Sequence, residues 1–538
     1  MPRVPRSSLV RLAATPGIVG EAAVAHLGAE PAGATTFVVH PPLDQQPAIG
    51  LTLVLTPSGR DTEVAVTSSG DIEIPFFGWA FRPLVRIAHR RLRAHAIATL
   101  QATLDGHPGP GPPTLVVGLP PVAFNPEQAT FVATASAATA VVGFAAALFG
   151  QFTSPISKSF GASDSAIGVA LALTRLGALF ALFAIAVADR RGRRRSILLG
   201  VVGSALVCAV SAAAPNLASF TTAQVLQRGL VGTTGTVAFL AVVEEAPEGA
   251  RAYAASMLAL AGGLGFSFAV VTLPLADLAP WGWRIPFVFG AGSIVLAPAI
   301  ARQLGETSRY TALAARADVV RGRARDVIDR HRRRFLLLAV VAFLTGMFSG
   351  PSSQFMNKYL TDVRGFTNTD IALFRAATTA IPGILGVVLG GRLAEARGRR
   401  PVAGLALATA TATQMVFFLT SGPSLWAMSA ISIFMAGAGG IALGTLDAEL
   451  FPTEIRSTSN AMLYVTGVVG SACGLALAGA LADQLGGIGR SVALTGVGSF
   501  LVALLVVPLL PESAARMLED VSPTLATPDG DDEYGPDP

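Results

Sequence analysis

Three arginines stand inside apolar stretches rather than at their ends: Arg175, Arg228 and Arg375. A charge within a long apolar run is expensive in hydrocarbon, so such residues face a bundle interior or a solute path. A guanidinium presents a planar fork of donors that matches a carboxylate. The sequence places no acid at comparable depth. The chemistry suggested is reversible anion binding, not bond making. Other polar residues share helical faces. Gln224 lies four before Arg228, Gln354 four before Lys358, and Asn460 four before Tyr464. Arg228, Gln224, Arg175, Gln354, Lys358, Asn460 and Tyr464 are expected to line a site for a small-molecule solute. Their plainer role is hydrogen bonding between helices.

A second set gathers at short basic loops: Asp189 and Arg193, Glu244 and Arg251, Glu395 and Arg399, Glu449 and Arg456. A carboxylate can cap a neighbouring helix N-terminus, where free N–H groups and the dipole favour negative charge. Arg193 and Arg399 can pair with Glu244 or Glu449. These eight residues are expected to form a gate; the plainer role of the arginines is to set topology. Gly262-Gly263-Leu264-Gly265 follows no strand and precedes no Lys-Ser/Thr, so it reads as a close helix approach rather than a nucleotide loop. Cys208 and Cys473, the only cysteines, lie in apolar runs and read as packing residues. The sequence suggests no ATP site, metal cluster or catalytic triad. No cofactor, nucleic-acid partner or enzymatic activity is expected.

The elements that must position these residues are membrane helices. Of 538 residues, 52% are apolar and 14% charged, against roughly 25% charged in an ordinary soluble domain. Residues 128–157, 196–227, 252–276, 335–357, 401–446 and 457–482 contain no Asp, Glu, Lys or Arg, and a span takes about 20 apolar residues. Breaks at Ala214-Pro215-Asn216 and Ser421-Gly422-Pro423 divide two of these runs. The pattern predicts twelve helices, near 130–152, 165–188, 196–213, 218–243, 252–275, 285–303, 335–357, 369–391, 402–420, 424–446, 457–482 and 490–510. The loops on one side then hold 20 basic residues and those on the other five. That bias expects both termini in the cytoplasm of a multi-pass cell-membrane protein.

Residues 1–112 differ in kind. Phe37–His40, Ile49–Thr56 and Thr62–Ser68 are β-rich, with a turn at Pro57–Asp61, and Asp71–Phe77 is a further candidate strand. Pro83–Leu104 carries an apolar stripe and reads as a long basic helix. Gly106–Pro113 begins a linker. The expected domains are 1–112, a linker 113–127, six helices over 128–303, a basic loop 304–334, six helices over 335–510, and a disordered tail 511–538. The chain is expected to be a monomer in the lipid bilayer.

The two sets of six match at one offset. Asp189, Gly192 and Arg193 align with Glu395, Gly398 and Arg399 at 206 residues. Glu244, Pro247 and Arg251 align with Glu449, Pro452 and Arg456 at 205, as do Gly262 and Gly265 with Gly467 and Gly470. An offset spanning an even number of helices makes the repeats parallel.

On these motifs residues 128–510 resemble the major facilitator superfamily. Its Gly-x-Leu-Ala-Asp-Arg-x-Gly-Arg-Arg loop is similar to Gly391–Arg400, and to Ala188–Arg194 with Ile185 at the glycine's place. Arg228-Gly-Leu-Val-Gly232 resembles the family's helix-4 motif. Trp283–Phe287, Glu306-Thr307 and Glu449–Arg456 look most like the metabolite:proton symporter and sugar-porter branches. The resemblance implies an all-α membrane fold of two parallel six-helix repeats and transport by alternating access, with a proton as one candidate coupling ion. It also implies that Asp189 lies near the start of helix 11 and Glu395 near the start of helix 5. The strands and long helix of 1–112 resemble part of the helix-grip, START-like polyketide cyclase/lipid-transfer superfamily. That implies a small cytoplasmic α+β domain. A transporter of a small organic, anionic solute is the reading the residues support. The alternatives are a membrane sensor signalling through the N-terminal domain, and, weakest, an enzyme in that domain with the membrane part as anchor.

Overall fold

The computed structural model describes residues 6–40, 49–69, 76–110, 124–180, 192–247, 250–306, 324–451 and 453–512. The N-terminal part is an antiparallel sheet. Its strands β1 (Arg6–Leu12), β2 (Glu30–Pro31), β3 (Thr36–Val39), β4 (Gly50–Ser58) and β5 (Asp61–Ser69) run in the order β1-β5-β4-β3-β2. Period-2 alternation turns Leu51, Leu53, Leu55, Val64 and Val66 to one face. Helices α1 (Pro16–Leu27) and α2 (Gly78–Leu104) cover that face with Val19, Ala23, Ala96 and Leu100. The hairpin turn is shorter than the expected Pro57–Asp61, because β4 continues through Pro57-Ser58 and leaves Gly59-Arg60 at the corner. The expected strand at 71–77 falls mostly outside the described residues.

The membrane part is helical. Its first half comprises α3 (Pro126–Gln151), α4 (Thr153–Phe160), α5 (Asp164–Gly177), α6 (Arg193–Ala213), α7 (Leu217–Glu245), α8 (Arg251–Val271), α9 (Arg284–Gly292) and α10 (Ala297–Gln303). The second comprises α11 (Ala324–Gln354), α12 (Met356–Asp362), α13 (Asn368–Arg375), α14 (Ile381–Arg397), α15 (Arg399–Phe417), α16 (Pro423–Glu449), α17 (Thr453–Leu485) and α18 (Ile488–Leu505). Ten helices among the described residues are long and apolar enough to cross a membrane. Two further helices stand where spans are expected. The described part of α5 is too short, and α15 is diluted by Thr409, Thr411, Thr413 and Gln414. α11 begins at Ala324 rather than near 335, because arginines are good helix formers and extend it into the basic segment. A five-residue π segment, Ala376–Ala380, joins α13 to α14, and Thr378 Oγ1 donates to Phe374 O beside it (2.9 Å).

Glycines set the helix approaches. A Cβ on Gly265 would strike Ala140 O, and one on Gly470 would strike Phe343 O. The glycine run read from the sequence therefore packs α8 on α3, and its repeat mate packs α17 on α11. Between the halves, Gly168 of α5 lies against Gly479 of α17, where a Cβ on either would come within 2.9 Å of the other's Cα.

Candidate functional site

α5 and α7 meet at Gly177, where a Cβ would strike Val225 O and lie 3.2 Å from Arg228 Cβ. That approach brings Arg175 and Arg228 to one cavity, lined also by Gly150, Gln224, Gln227 and Gln354. The enclosed space is about 30 Å³, room for one or two waters and far below a solute-sized site of about 300 Å³ or more. That is room for one end of a small molecule, not its whole body. Among the described residues, neither the Arg175 nor the Arg228 guanidinium has a hydrogen-bonded or ion-paired partner. The phenol of Tyr464, on α17 of the other half, lies within electrostatic range of both guanidinium groups. Gln224 Nε2 donates to Ser211 Oγ (2.8 Å) and Gln227 Nε2 to Ser204 Oγ (3.0 Å). Both amides are thus anchored to α6, while Gln227 Oε1 is buried without a partner. Gln354 reaches across the halves, its amide oxygen occupying the place a Cβ on Gly150 would take.

The end of the bundle holding Lys158 and Lys358 is called outer here, following the basic-residue bias. There the halves are laced together. Lys358 Nζ, 8% exposed, lies 3.0 Å from Asp164 Oδ1 and 2.7 Å from Asp362 Oδ2. Lys158 lies 2.9 Å from Asp362 Oδ1, which also accepts from Ser154 Oγ (2.7 Å). Burial alone would lower Lys358, but Asp362 and Asp164 outweigh it and hold the ammonium above the usual lysine range. Burial alone would raise Asp362; hydrogen bonds from Lys358, Lys158 and Ser154 outweigh it and hold the carboxyl below the usual range. Asn368 Nδ2 donates to Asp277 Oδ1 (2.6 Å) between the same halves.

A proline explains one further link. Pro155 in α4 has no N–H for the carbonyl of Gln151, four residues back. That carbonyl accepts instead from Asn357 Nδ2 (2.9 Å), which also reaches Gln151 Oε1 (2.8 Å). Asn357 Oδ1 in turn accepts from Arg375 Nε (2.9 Å). Arg375 is therefore buried in an inter-half relay rather than extended to the surface.

At the inner end, Arg193 Nη2 meets Glu244 Oε1 at 2.8 Å, both side chains largely buried. Glu306 accepts from the N–H of Arg193 (2.8 Å) and of Arg194 (3.3 Å), capping α6. Glu512 does the same for α15 through Arg399 (2.9 Å) and Arg400 (3.1 Å). The residue before each helix is glycine at positive φ, Gly192 at 95° and Gly398 at 99°. A Cβ there would come within 2.5 Å and 2.9 Å of the glutamate oxygens.

The structure thus brings Arg228, Arg175, Gln224 and Gln354 to one cavity, with Tyr464 in electrostatic reach. It places Lys358 in the outer ion cluster, because two carboxylates there satisfy it. Asn460 carries a buried, unpartnered Oδ1. Of the expected gate residues, Arg193 pairs with Glu244, Arg251 opens α8 and Arg399 opens the capped α15. Asp189 and the side chains of Glu395, Glu449 and Arg456 lie outside the described residues. Gln227, Asn357, Asp164, Asp362 and Glu512 were not singled out from the sequence. Two signals were present: Lys358 and Asp362 have i,i+4 spacing, and Glu512 follows Glu306 at the same 206 residues.

A family model described as Major Facilitator Superfamily matches residues 135–388 and 375–523. The alpha-ketoglutarate permease of Escherichia coli (strain K12) is 28% identical over 305 residues, 52% of this chain and 68% of that protein. The citrate-proton symporter of Klebsiella pneumoniae is 27% identical over 214 residues, 38% of this chain and 46% of that protein. The fold matches a bacterial homolog of the human lysosomal transporter Spinster in its inward-facing, unoccupied conformation. The TM-score is 0.60 at 16% identity, covering 72% of this chain and 98% of that one.

Proposed function

Since the chain belongs to the major facilitator superfamily of membrane transporters, we propose that it carries a small organic acid by alternating access. The observation that carries this reading is the pair Arg175 and Arg228, two guanidinium groups facing one cavity without a counter-ion among the described residues. Leaving such charges bare in a low-dielectric interior is unfavourable, and a solute carboxylate satisfies both the charge and the fork. Arg228 is the primary contact and Arg175 its neighbour; Tyr464 closes the site from the second half. The relatives that transport alpha-ketoglutarate and citrate support the carboxylate class, and the citrate relative supports a proton as coupling ion. Lys358, Asp164, Lys158 and Asp362 act as the outer gate. Arg193 with Glu244, and Asp189, Glu395, Arg399, Glu449, Arg251 and Arg456, act at the inner one. The basic-loop bias supports an inner-membrane carrier with both termini in the cytoplasm; a monomer remains the expected state.

Uptake of labelled carboxylates into proteoliposomes tests the reading. Arg228→Gln should abolish saturable uptake. Arg228→Lys, which keeps the charge and loses the fork, should retain a weaker but measurable uptake. A neutral or cationic solute carried at full rate by Arg228→Gln protein would overturn it.

A further inference from the structure

The internal repeat supplies a control for the described helix starts at the inner end. Glu306 caps α6 as Glu512 caps α15. Arg194 Nη2 donates to Ala301 O (2.7 Å), and its mate Arg400 donates to Pro508 O and Leu510 O (3.2 Å each). These pairs perform the same structural task twice. Arg195 and Arg302 have no such mates, since the positions 206 residues on are Pro401 and Pro508. Two arginines are thus present in the first half beyond what the shared architecture requires. With Arg194 they line an open pocket of about 500 Å³ between the start of α6 and the end of α10. Glu306, the carboxylate in this lining, has its Oε1 engaged by the α6 backbone.

The surroundings of this pocket indicate its ligand. From Arg195 a stripe of exposed apolar side chains runs along α6: Leu199 (65% exposed), Leu206 and Val210. Val295, just before α10, is 76% exposed. In a membrane protein such a stripe faces acyl chains. The guanidinium groups therefore sit where an apolar wall ends, at headgroup depth, on the side that the basic-residue bias assigns to the anionic leaflet. A soluble anion has no use for the wall; a phospholipid uses both parts. We propose that Arg195 and Arg302, beside Arg194, hold the phosphate headgroup of an anionic phospholipid whose acyl chain lies along Leu199 and Leu206. The site is independent of which solute the carrier moves.

Full-length protein in neutral detergent, titrated with phosphatidylglycerol and followed by native mass spectrometry, tests this. Phosphatidylcholine and glycerol phosphate serve as comparison ligands. Wild-type protein should retain phosphatidylglycerol in preference to phosphatidylcholine. The double variant Arg195→Gln/Arg302→Gln should weaken that binding about thirtyfold, about fivefold per basic group. Arg397→Gln, an exposed arginine at the end of α14, should change it little. Arg195→Lys/Arg302→Lys keeps the charges and should retain most of the binding, which separates loss of the site from loss of the fold. Equal lipid retention by wild type and the Gln double variant would overturn the proposal. So would glycerol phosphate binding as tightly as the lipid, which would make this a soluble-phosphate site.

Discussion

At the residue scale, what matters is which charges are satisfied by the protein and which are left for a ligand. Lys358, Asp164, Asp362 and Lys158 satisfy one another; Arg175 and Arg228 do not. The first group has a pH consequence whose sign follows from its shifts. Asp362, held below the usual range, keeps its charge until the pH falls through that lowered value. Lys358, held above its usual range, loses its charge only as the pH rises through the raised one. The outer seal should therefore be constant from about pH 5 to 9. Distance measurements between spin labels across the outer end should show no pH-dependent opening in that window. Asp362→Asn should shift the same distances toward the open state by about 1–3 kcal/mol, since it leaves Lys158 and Lys358 undercompensated. An outer end that opens between pH 5 and 9 in wild-type protein would contradict this. The arginines were legible in the sequence because a charge in an apolar run stands out. The relay through Asn357 was not, since an amide beside a helix end gives no signal until Pro155 is seen to free the carbonyl it meets.

At the element scale, two details decide how the spans are held. The first is the pair of caps. Glu306 and Glu512 each hold two backbone N–H groups of a helix start, an arrangement worth about 1 kcal/mol. Glu306→Gln and Glu512→Gln should each lower the thermal midpoint by a few degrees. The double variant should show the sum, because the capped N–H groups belong to different helices, α6 and α15. A midpoint unchanged in both single variants would show the caps to be idle. The second detail is the crossing of α5 and α17 at Gly168 and Gly479. Gly479→Leu should keep the helices apart, so the outer end stays open and transport falls while protein abundance holds. Glycine spacing made a close helix approach at Gly262–Gly265 legible, because the motif repeats at a fixed offset; its partners α3 and, for the repeat mate, α11 come from the fold. Gly168 and Gly479 lie in different halves with no common offset, so their meeting is a property of the fold alone. β1 and α1 were missed for a related reason. α1 is rich in Gly and Ala with no apolar stripe, and its place is set by Phe37 packing at Gly20.

At the scale of the whole molecule, the described residues lace the two halves together at the outer end. The polar bridges described between them, from Ser154–Asp362 to Asn368–Asp277, all lie at the outer end. In a background with Cys208 and Cys473 replaced, cysteines at Ser154 and Asp362 should cross-link, stop transport, and release it on reduction. Cross-linked protein that still transports would mean the outer end need not open. A cysteine at Ser7 in the same background should be labelled only after the membrane is breached, as the proposed cytoplasmic placement of the N-terminus requires. The helical membrane fold was readable from the sequence because long apolar runs and a repeat at one offset preserve chemistry over long distance. The state of the halves was not, since it depends on contacts between residues some 200 positions apart in sequence.

One of those contacts has a mechanical meaning. The carbonyl of Gln151 lacks its i+4 main-chain partner, because Pro155 has no N–H to supply. The joint between α3 and α4 therefore has one rung fewer to strain when it bends, between the rungs Phe152 N–H to Leu148 O and Ile156 N–H to Phe152 O. When the Asn357 amide withdraws, water takes its place at nearly equal enthalpy. The joint behaves as a compliant hinge with a replaceable pin, and the temperature dependence of outer opening should be shallow. Replacing Pro155 by alanine would restore the rung and stiffen the hinge. Opening would then slow and acquire a steeper temperature dependence, with the ion cluster left untouched.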